Sequence, residues 1–234
     1  MYKLLLLATT LLSAASVAQA QVRFTAGPQV GYNLTTVNFK VDNGAATYAT
    51  SSKSGFAAGV MADIGFGHLA LQPAVQFAQK GYDQVATYSL VTSNRIRLNY
   101  LAIPINLAYT QHSDGQGAQV FAGPYLGILL GGNYSAETTG GQVSNPERGK
   151  VVAAESYTPS FSDSNFYSRR VDAGLQFGLG YRYQGLLLQA AYSLGLTNQA
   201  SVAEQRAGGS PYPPITYRNR AFQLSLAYLF GVAH

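Results

Sequence analysis

Arg170-Val171-Asp172-Ala173-Gly174-Leu175-Gln176-Phe177-Gly178-Leu179-Gly180-Tyr181-Arg182-Tyr183 alternates without a break. Val171, Ala173, Leu175, Phe177, Leu179, Tyr181 and Tyr183 form one series; Arg170, Asp172, Gly174, Gln176, Gly178, Gly180 and Arg182 form the other. A period of two marks a β-strand with two unlike faces. The run exceeds the about 9 to 11 residues that a tilted strand needs to cross a bilayer.

Seven more segments read the same way, so that eight strands are expected over 22–34, 55–66, 69–80, 95–110, 118–130, 170–183, 186–197 and 220–230. Within the expected membrane band the apolar series carries no Asp, Glu, Lys or Arg, whereas the opposite series carries Arg23, Asp63, Lys80, Arg95, Arg97, Arg170, Asp172 and Arg182. A lipid-facing Arg or Lys at mid-depth costs about 2–4 kcal/mol, so a bilayer would enforce this segregation. A soluble lipocalin-like barrel would show the same alternation with the sidedness reversed. The connections separate the two. In order, 35–54, 67–68, 81–94, 111–117, 131–169, 184–185 and 198–219 run long, short, long, short, long, short, long. That is the pattern of an all-β, eight-stranded antiparallel up-and-down transmembrane β-barrel with short periplasmic turns and long extracellular loops. Both termini are then periplasmic. Aromatics fall at two levels, with Phe56, Phe77, Tyr100 and Phe222 toward the outer interface and Phe24, Phe66, Tyr109, Tyr181, Tyr183, Tyr228 and Phe230 toward the inner one.

Two irregularities call for local distortion. Pro28, Pro73, Pro104 and Pro124 each remove a ladder donor and predict bulges. In the fourth segment Ile96, Leu98 and Tyr100 are followed by Leu101, Ile103, Ile105 and Leu107, so an extra residue near 99–101 is expected to restore the phase. A weak internal echo links Ala26-Gly27-Pro28-Gln29-Val30-Gly31 to Ala122-Gly123-Pro124-Tyr125-Leu126-Gly127.

Composition agrees with membrane burial. Charged residues make up 11% of the 234-residue chain, against roughly 25% for ordinary soluble domains. With no cysteine there are no disulfides, thiolate metal sites or lipid-modified N-terminal Cys. The net charge of +5 is small and scattered, which argues against nucleic acid. Residues 1–20 read as a cleaved secretory signal peptide, with Lys3, the apolar run Leu4 to Leu12 and the small-residue site Ala18-Gln19-Ala20; residues 21–234 are then the barrel domain.

With these strands placed, the chain resembles the PorT-like family of outer-membrane β-barrels of Bacteroidota. The resemblance rests on Leu71-Gln72-Pro73 through Gln79-Lys80-Gly81, Leu98-Asn99-Tyr100-Leu101-Ala102-Ile103-Pro104, Ala122-Gly123-Pro124-Tyr125-Leu126-Gly127, Gly178-Leu179-Gly180-Tyr181 and Tyr192 through Asn198. It implies a small eight-stranded barrel and brings no catalytic residues. One namesake branch is associated with a secretion and gliding apparatus.

Chemistry is sparse. His68 and His112 fall in short turns and His234 at the chain end, so no nucleophile, base and acid meet near the outer leaflet. No enzyme, metal or cofactor is expected. The inward charges are the remaining constellation: Lys80, Arg95, Arg97, Arg170 and Asp172 in the outer half of the lumen, and Arg23, Asp63 and Arg182 in the inner half. They read either as a hydrogen-bonded plug or as a vestibule that draws in an anionic group. The 131–169 connection carries Tyr157, Phe161, Phe166 and Tyr167, either as a contact surface or on a hairpin using Val151 to Ala154. The expected role is structural or interactive, with outer-membrane lipids including lipopolysaccharide, the barrel-assembly machinery and an envelope or secretion complex as partners. A narrow channel and, behind it, a lipid-modifying enzyme are the alternatives.

Overall fold

The computed structural model describes residues 22–41, 47–87, 91–140, 143–160, 163–204 and 215–231. The expected signal segment 1–20, Phe161 and His234 lie outside them. In chain order the strands are β1 (Val22–Val41), β2 (Thr47–Phe66), β3 (Leu69–Thr87), β4 (Val91–Thr110), β5 (Gly117–Gly140), β6 (Val143–Ala153), β7 (Ser156–Tyr157), β8 (Phe166–Ser168), β9 (Val171–Tyr183), β10 (Leu186–Gly195), β11 (Val202–Ala203), β12 (Ile215–Tyr228) and β13 (Phe230–Gly231). Eight of them close a ring in the order β4-β3-β2-β1-β12-β10-β9-β5, with β5 bonded back to β4. Every ring pairing is antiparallel. A closed ring leaves no unpaired edge, which is the condition for strands to sit in hydrocarbon.

The alternation in β9 sets its faces: Val171, Leu175, Phe177, Leu179, Tyr181 and Tyr183 are exposed on the outside, while Asp172, Gln176 and Arg182 are buried within. Each ring strand repeats this, and the exposed large apolar chains join into one continuous wall far larger than a soluble monomer tolerates. At one end the turns are tight. Gln184 and Gly185 both take positive φ, 47° and 88°, the type I′ geometry whose twist matches paired strands.

At the other end the strands run on past the apolar wall, and the two faces exchange character. The outward positions become Thr36, Asn38 and Lys40 on β1, Asp83 on β3, Arg95 and Arg97 on β4, Asn133 and Ser135 on β5, and Arg218 and Arg220 on β12. Inward stand Val37, Tyr82, Ile96, Leu98 and Tyr217, packed into one apolar cluster with Tyr100, Leu129 and Val151. Water has replaced hydrocarbon outside, so apolar burial now drives the apolar series inward.

This exchange corrects the phase reading of the fourth segment. β4 keeps one phase throughout, with Ile96, Leu98 and Tyr100 turned in and Leu101, Ile103, Ile105 and Leu107 turned out. Tyr100 is therefore an interior residue and no part of the interface aromatics. The extra residue lies on the neighbouring strand, where Asn99 pairs with Gly131 and Tyr100 with Leu129, leaving Leu130 as the bulge. A second register shift falls between Ser52 and Ala57.

The four prolines produce no shift, and pairing keeps its register past each. In the echoed Ala-Gly-Pro runs, a Cβ on Gly27 or Gly123 would fall on the carbonyl oxygen of Tyr228 or Ile105 in the next strand. Glycine lets that strand close in where the imide cannot donate a rung.

The long connections are mostly strand. β1 and β2, β3 and β4, and β5 and β6 extend as hairpins beyond the apolar wall, β6 continues antiparallel to β5, and β8 lies parallel to β6. The hairpin anticipated from Val151 to Ala154 is present and longer, because β6 already begins at Val143.

Candidate functional site: the luminal side chains and the long-loop rim

Three levels of side chains occupy the lumen. Nearest the short turns, Asp63 on β2 is fully buried and accepts hydrogen bonds from Arg23 Nη2 at 2.9 Å, Arg182 Nη1 at 3.2 Å and Gln72 Nε2 at 2.7 Å. Arg182 also donates to Thr25 Oγ1 at 3.1 Å. Two cations facing one carboxylate are tolerable in a dry interior only because each is hydrogen-bonded to it. The expected inner trio is thus brought together as one cluster. Above it Gln72 joins Gln119 and Gln189, each at 3.0 Å.

The middle level is amide. Gln176 Nε2 donates to Asn106 at 2.9 Å, Gln76 and Gln223 bond one another, and Gln29 donates to Ser225 at 2.9 Å. An amide both donates and accepts, so such chains can satisfy themselves across a barrel without water. Two cavities remain in and around this level, each of about 20 Å³. That is room for roughly one water apiece.

The third level centres on Lys80 and Asp172, 2.8 Å apart and both buried. Asn219 donates to the same carboxylate at 2.9 Å and Tyr125 at 3.3 Å. The Lys80 ammonium lies 4.7 Å from the Tyr125 ring centroid and 5.1 Å from that of Tyr100, close enough for cation–π attraction. Directly beyond lies the apolar cluster, with Phe166 stacked on Tyr134 at 5.8 Å and tilted against Tyr217 at 6.4 Å.

Arg95, Arg97 and Arg170 are not in the lumen. All three are exposed, Arg95 and Arg97 on the outer wall of β4 and Arg170 immediately before β9. Arg170 precedes the strand, where the alternation does not yet hold, and Arg95 and Arg97 are placed inside only if the apolar face stays outward along the whole strand. Beyond the membrane edge that premise inverts. The outer luminal cluster reduces to the Lys80–Asp172 pair, and the charge excess proposed for a luminal vestibule is absent from it.

The aromatic candidates of the 131–169 connection also divide. Tyr157 and Tyr167 stack at 4.7 Å with rings 10° apart, near the parallel pairing of β7 with β11. Phe166 points into the apolar cluster and is packing, not a contact surface. The Tyr167 hydroxyl donates to Asp163, which holds that carboxyl below its ordinary value and raises the phenol. His68 Nδ1–H donates to Thr110 O at 3.0 Å, and His112 Nδ1–H to Gln116 O at 3.1 Å, both within short turns.

Sequence reasoning missed the amide network as a site, although its glutamines sit in the polar series. It also missed Lys53, Arg148, Lys150 and Arg218, which fall in segments read as loop, and Arg220, at the first position of the expected eighth strand. With Arg95 and Arg97 they line the long-loop end of the outer wall.

Residues 17–201 match the family model described as outer membrane protein beta-barrel domain. Among solved structures, the attachment invasion locus protein Ail of Yersinia pestis aligns over 88% of this chain and 99% of its own at 11% identity, with a TM-score of 0.43. The outer membrane protein OprG of Pseudomonas aeruginosa aligns over 89% and 98% at 12% identity, TM-score 0.44. Neisserial surface protein A aligns over 88% and 99% at 13% identity, TM-score 0.36. No curated protein matches the chain significantly.

Proposed function

Because the chain belongs to the outer membrane protein β-barrel domain family and is integral to the outer membrane, we propose that it is a closed barrel which serves as a scaffold for contacts at its long-loop end. What supports this reading is the succession of side chains along the lumen among the described residues, namely ion cluster, amide layer, Lys80–Asp172 pair and apolar cluster, with two cavities of about 20 Å³ each in and around the amide layer. An eight-stranded interior is about wide enough for side chains to fill, so nothing remains for a solute path. The long-loop end faces the outside in this reading and both termini face the periplasm, in keeping with the asymmetry of the connections. The stacked Tyr157 and Tyr167 give that end a rigid aromatic feature of the kind that anchors a protein contact. The resemblance to PorT-like barrels points the same way, toward an envelope or secretion assembly as partner.

Planar-bilayer recording tests the closure. The purified barrel is expected to give no steady current. Steady open levels whose size changes with Gln176→Ala or Asp172→Asn would overturn the reading in favour of a narrow channel.

A further inference from the structure

Where the outer wall changes from apolar to polar, one group of its cations is gathered across β2 to β6. Asp83 on β3 pairs with Arg95 on β4, Arg95 with Ser135 on β5, and Ser135 with Arg148 on β6. One step nearer the apolar wall, Gly81, Arg97, Asn133 and Lys150 form the next row across the same strands. Side chains at paired positions share a face, so Arg95, Arg97, Arg148 and Lys150 project together. Lys53 reaches over Gly81 to join them and bonds Asp83 at 2.6 Å. Among the described residues the other four cations make no ion pair or side-chain hydrogen bond. Lys53, Arg95, Arg97 and Arg148, with Asn133, Tyr134, Ser135 and Gly149, line a recess of about 330 Å³, and Lys150 stands beside it in the Arg97–Asn133 row.

Height identifies the occupant. Along β4, Asn99 alone separates Arg97 from Leu101, the last lipid-facing apolar position. At about 3.3 Å per residue the recess begins roughly 13 Å along the strand from Leu101. A tilt of about 40° takes off about a quarter of that height, and an arginine side chain spans much of the rest. The headgroup layer is roughly 5–7 Å thick on each side of the hydrocarbon. The same juxtaposition recurs round the ring, with Arg220 the next outward position after Phe222 on β12 and Lys53 just across the β2 bulge from Phe56. Cations that follow the upper edge of the apolar wall face the headgroup layer of the leaflet; cations meant for a soluble partner would have no reason to track that edge.

We propose that the recess bounded by Lys53, Arg95, Arg97 and Arg148, with Lys150 beside it, binds the phosphorylated headgroup of an outer-leaflet glycolipid whose acyl chains lie along the apolar wall beneath it. Guanidinium groups take phosphate oxygens in bidentate fashion, and Asn133 and Ser135 supply neutral polar partners for sugar hydroxyls. The inference rests on the long-loop end facing outward.

The test uses the full-length barrel in nanodiscs titrated with fluorescent bisphosphorylated lipid A, and with the same lipid after enzymatic dephosphorylation. Arg95→Gln/Arg97→Gln and Arg148→Gln/Lys150→Gln are each expected to weaken binding of the phosphorylated lipid by on the order of tenfold or more, with the loss shrinking as salt is raised. Binding of the dephosphorylated lipid is expected to be weak and unchanged, and Arg169→Gln, outside the recess, is expected to bind as the unaltered protein does. Equal affinity for both lipids, or no effect of either double substitution, would overturn the proposal. So would inorganic polyphosphate binding the detergent-solubilised protein as tightly as the lipid binds in nanodiscs, since the recess would then be a soluble-anion site. Orientation is read separately: Ser164→Cys, the sole thiol in a cysteine-free chain, should react with an impermeant maleimide on intact cells. Labelling only after permeabilisation overturns orientation and proposal together; labelling without phosphate-dependent binding overturns the proposal alone.

Discussion

At the scale of single residues, the buried carboxylates do the most to fix the interior. Asp172 holds Lys80, Asn219 and Tyr125 at once. Removing it strands an ammonium in a dry lumen, and breaking a buried pair in this way costs about 3–5 kcal/mol. Asp172→Ala is therefore expected to lower unfolding stability from lipid vesicles by that order, measured by urea titration and by loss of the heat-sensitive gel shift. Lys80→Met combined with Asp172→Leu is expected to recover most of it, because apolar replacement of both partners leaves no unpaired charge. A double variant as unstable as Asp172→Ala would show that the charge itself, not its pairing, is what the lumen needs. That Lys80 and Asp172 would meet was legible, since both sit in the polar series at matching heights. Their neutral partners were not, because asparagine and tyrosine occur in both the outward and the inward series, as with Tyr32 against Tyr125 and Asn133 against Asn106.

At the scale of the strand, the reversal of sidedness is the informative feature. On β12, Leu224 faces out within the apolar wall; on β1, Thr36 faces out beyond it; on β4, Leu98 faces in at the upper level. Three substitutions follow from this. Leu224→Arg should cost about 2–4 kcal/mol, the toll of a cation in hydrocarbon. Thr36→Arg, beyond the apolar wall and opposite Arg220, should cost less, about 1 kcal/mol or below, from like-charge repulsion across the pair. Leu98→Ala should cost about 2–5 kcal/mol as a core truncation. Unfolding titrations in vesicles check all three, and an equal penalty for Leu224→Arg and Thr36→Arg would place the membrane edge higher than the wall indicates. The strands looked short in the sequence because an alternation rule tuned to lipid stops where lipid stops. Beyond that edge Val37, Tyr82, Ile96 and Tyr217 still alternate, in the opposite sense.

At the scale of the whole molecule, ring closure and the upper hairpin are separable. β5 pairs with β9 only over Gly117–Ile128, and β6 and β8 hang from the far end of β5 outside the ring. Replacing residues 133–168 by a short turn should leave a barrel that still folds, seen as a retained heat-sensitive gel shift. Stability should fall, since Val151 and Phe166 leave the apolar cluster. Steady conductance should remain absent, because the Lys80–Asp172 and amide levels lie beneath. An open current in that variant would make the apolar cluster the true closure.

The sequence by itself determined the class, the eight strands, the alternation of short and long connections, and the inner trio of Arg23, Asp63 and Arg182. A strand's period of two and a bilayer's intolerance of charge are local rules, readable one segment at a time. Only the tertiary structure decided where Arg95, Arg97 and Arg170 stand, which strand carries the bulge beside Asn99, and that strand extensions legible only as loop bring Lys53 and Arg148 to one recess. Each depends on what lies across the pairing, and on whether water or lipid touches the outer wall at that height. A chain read one residue after another does not contain its own solvent.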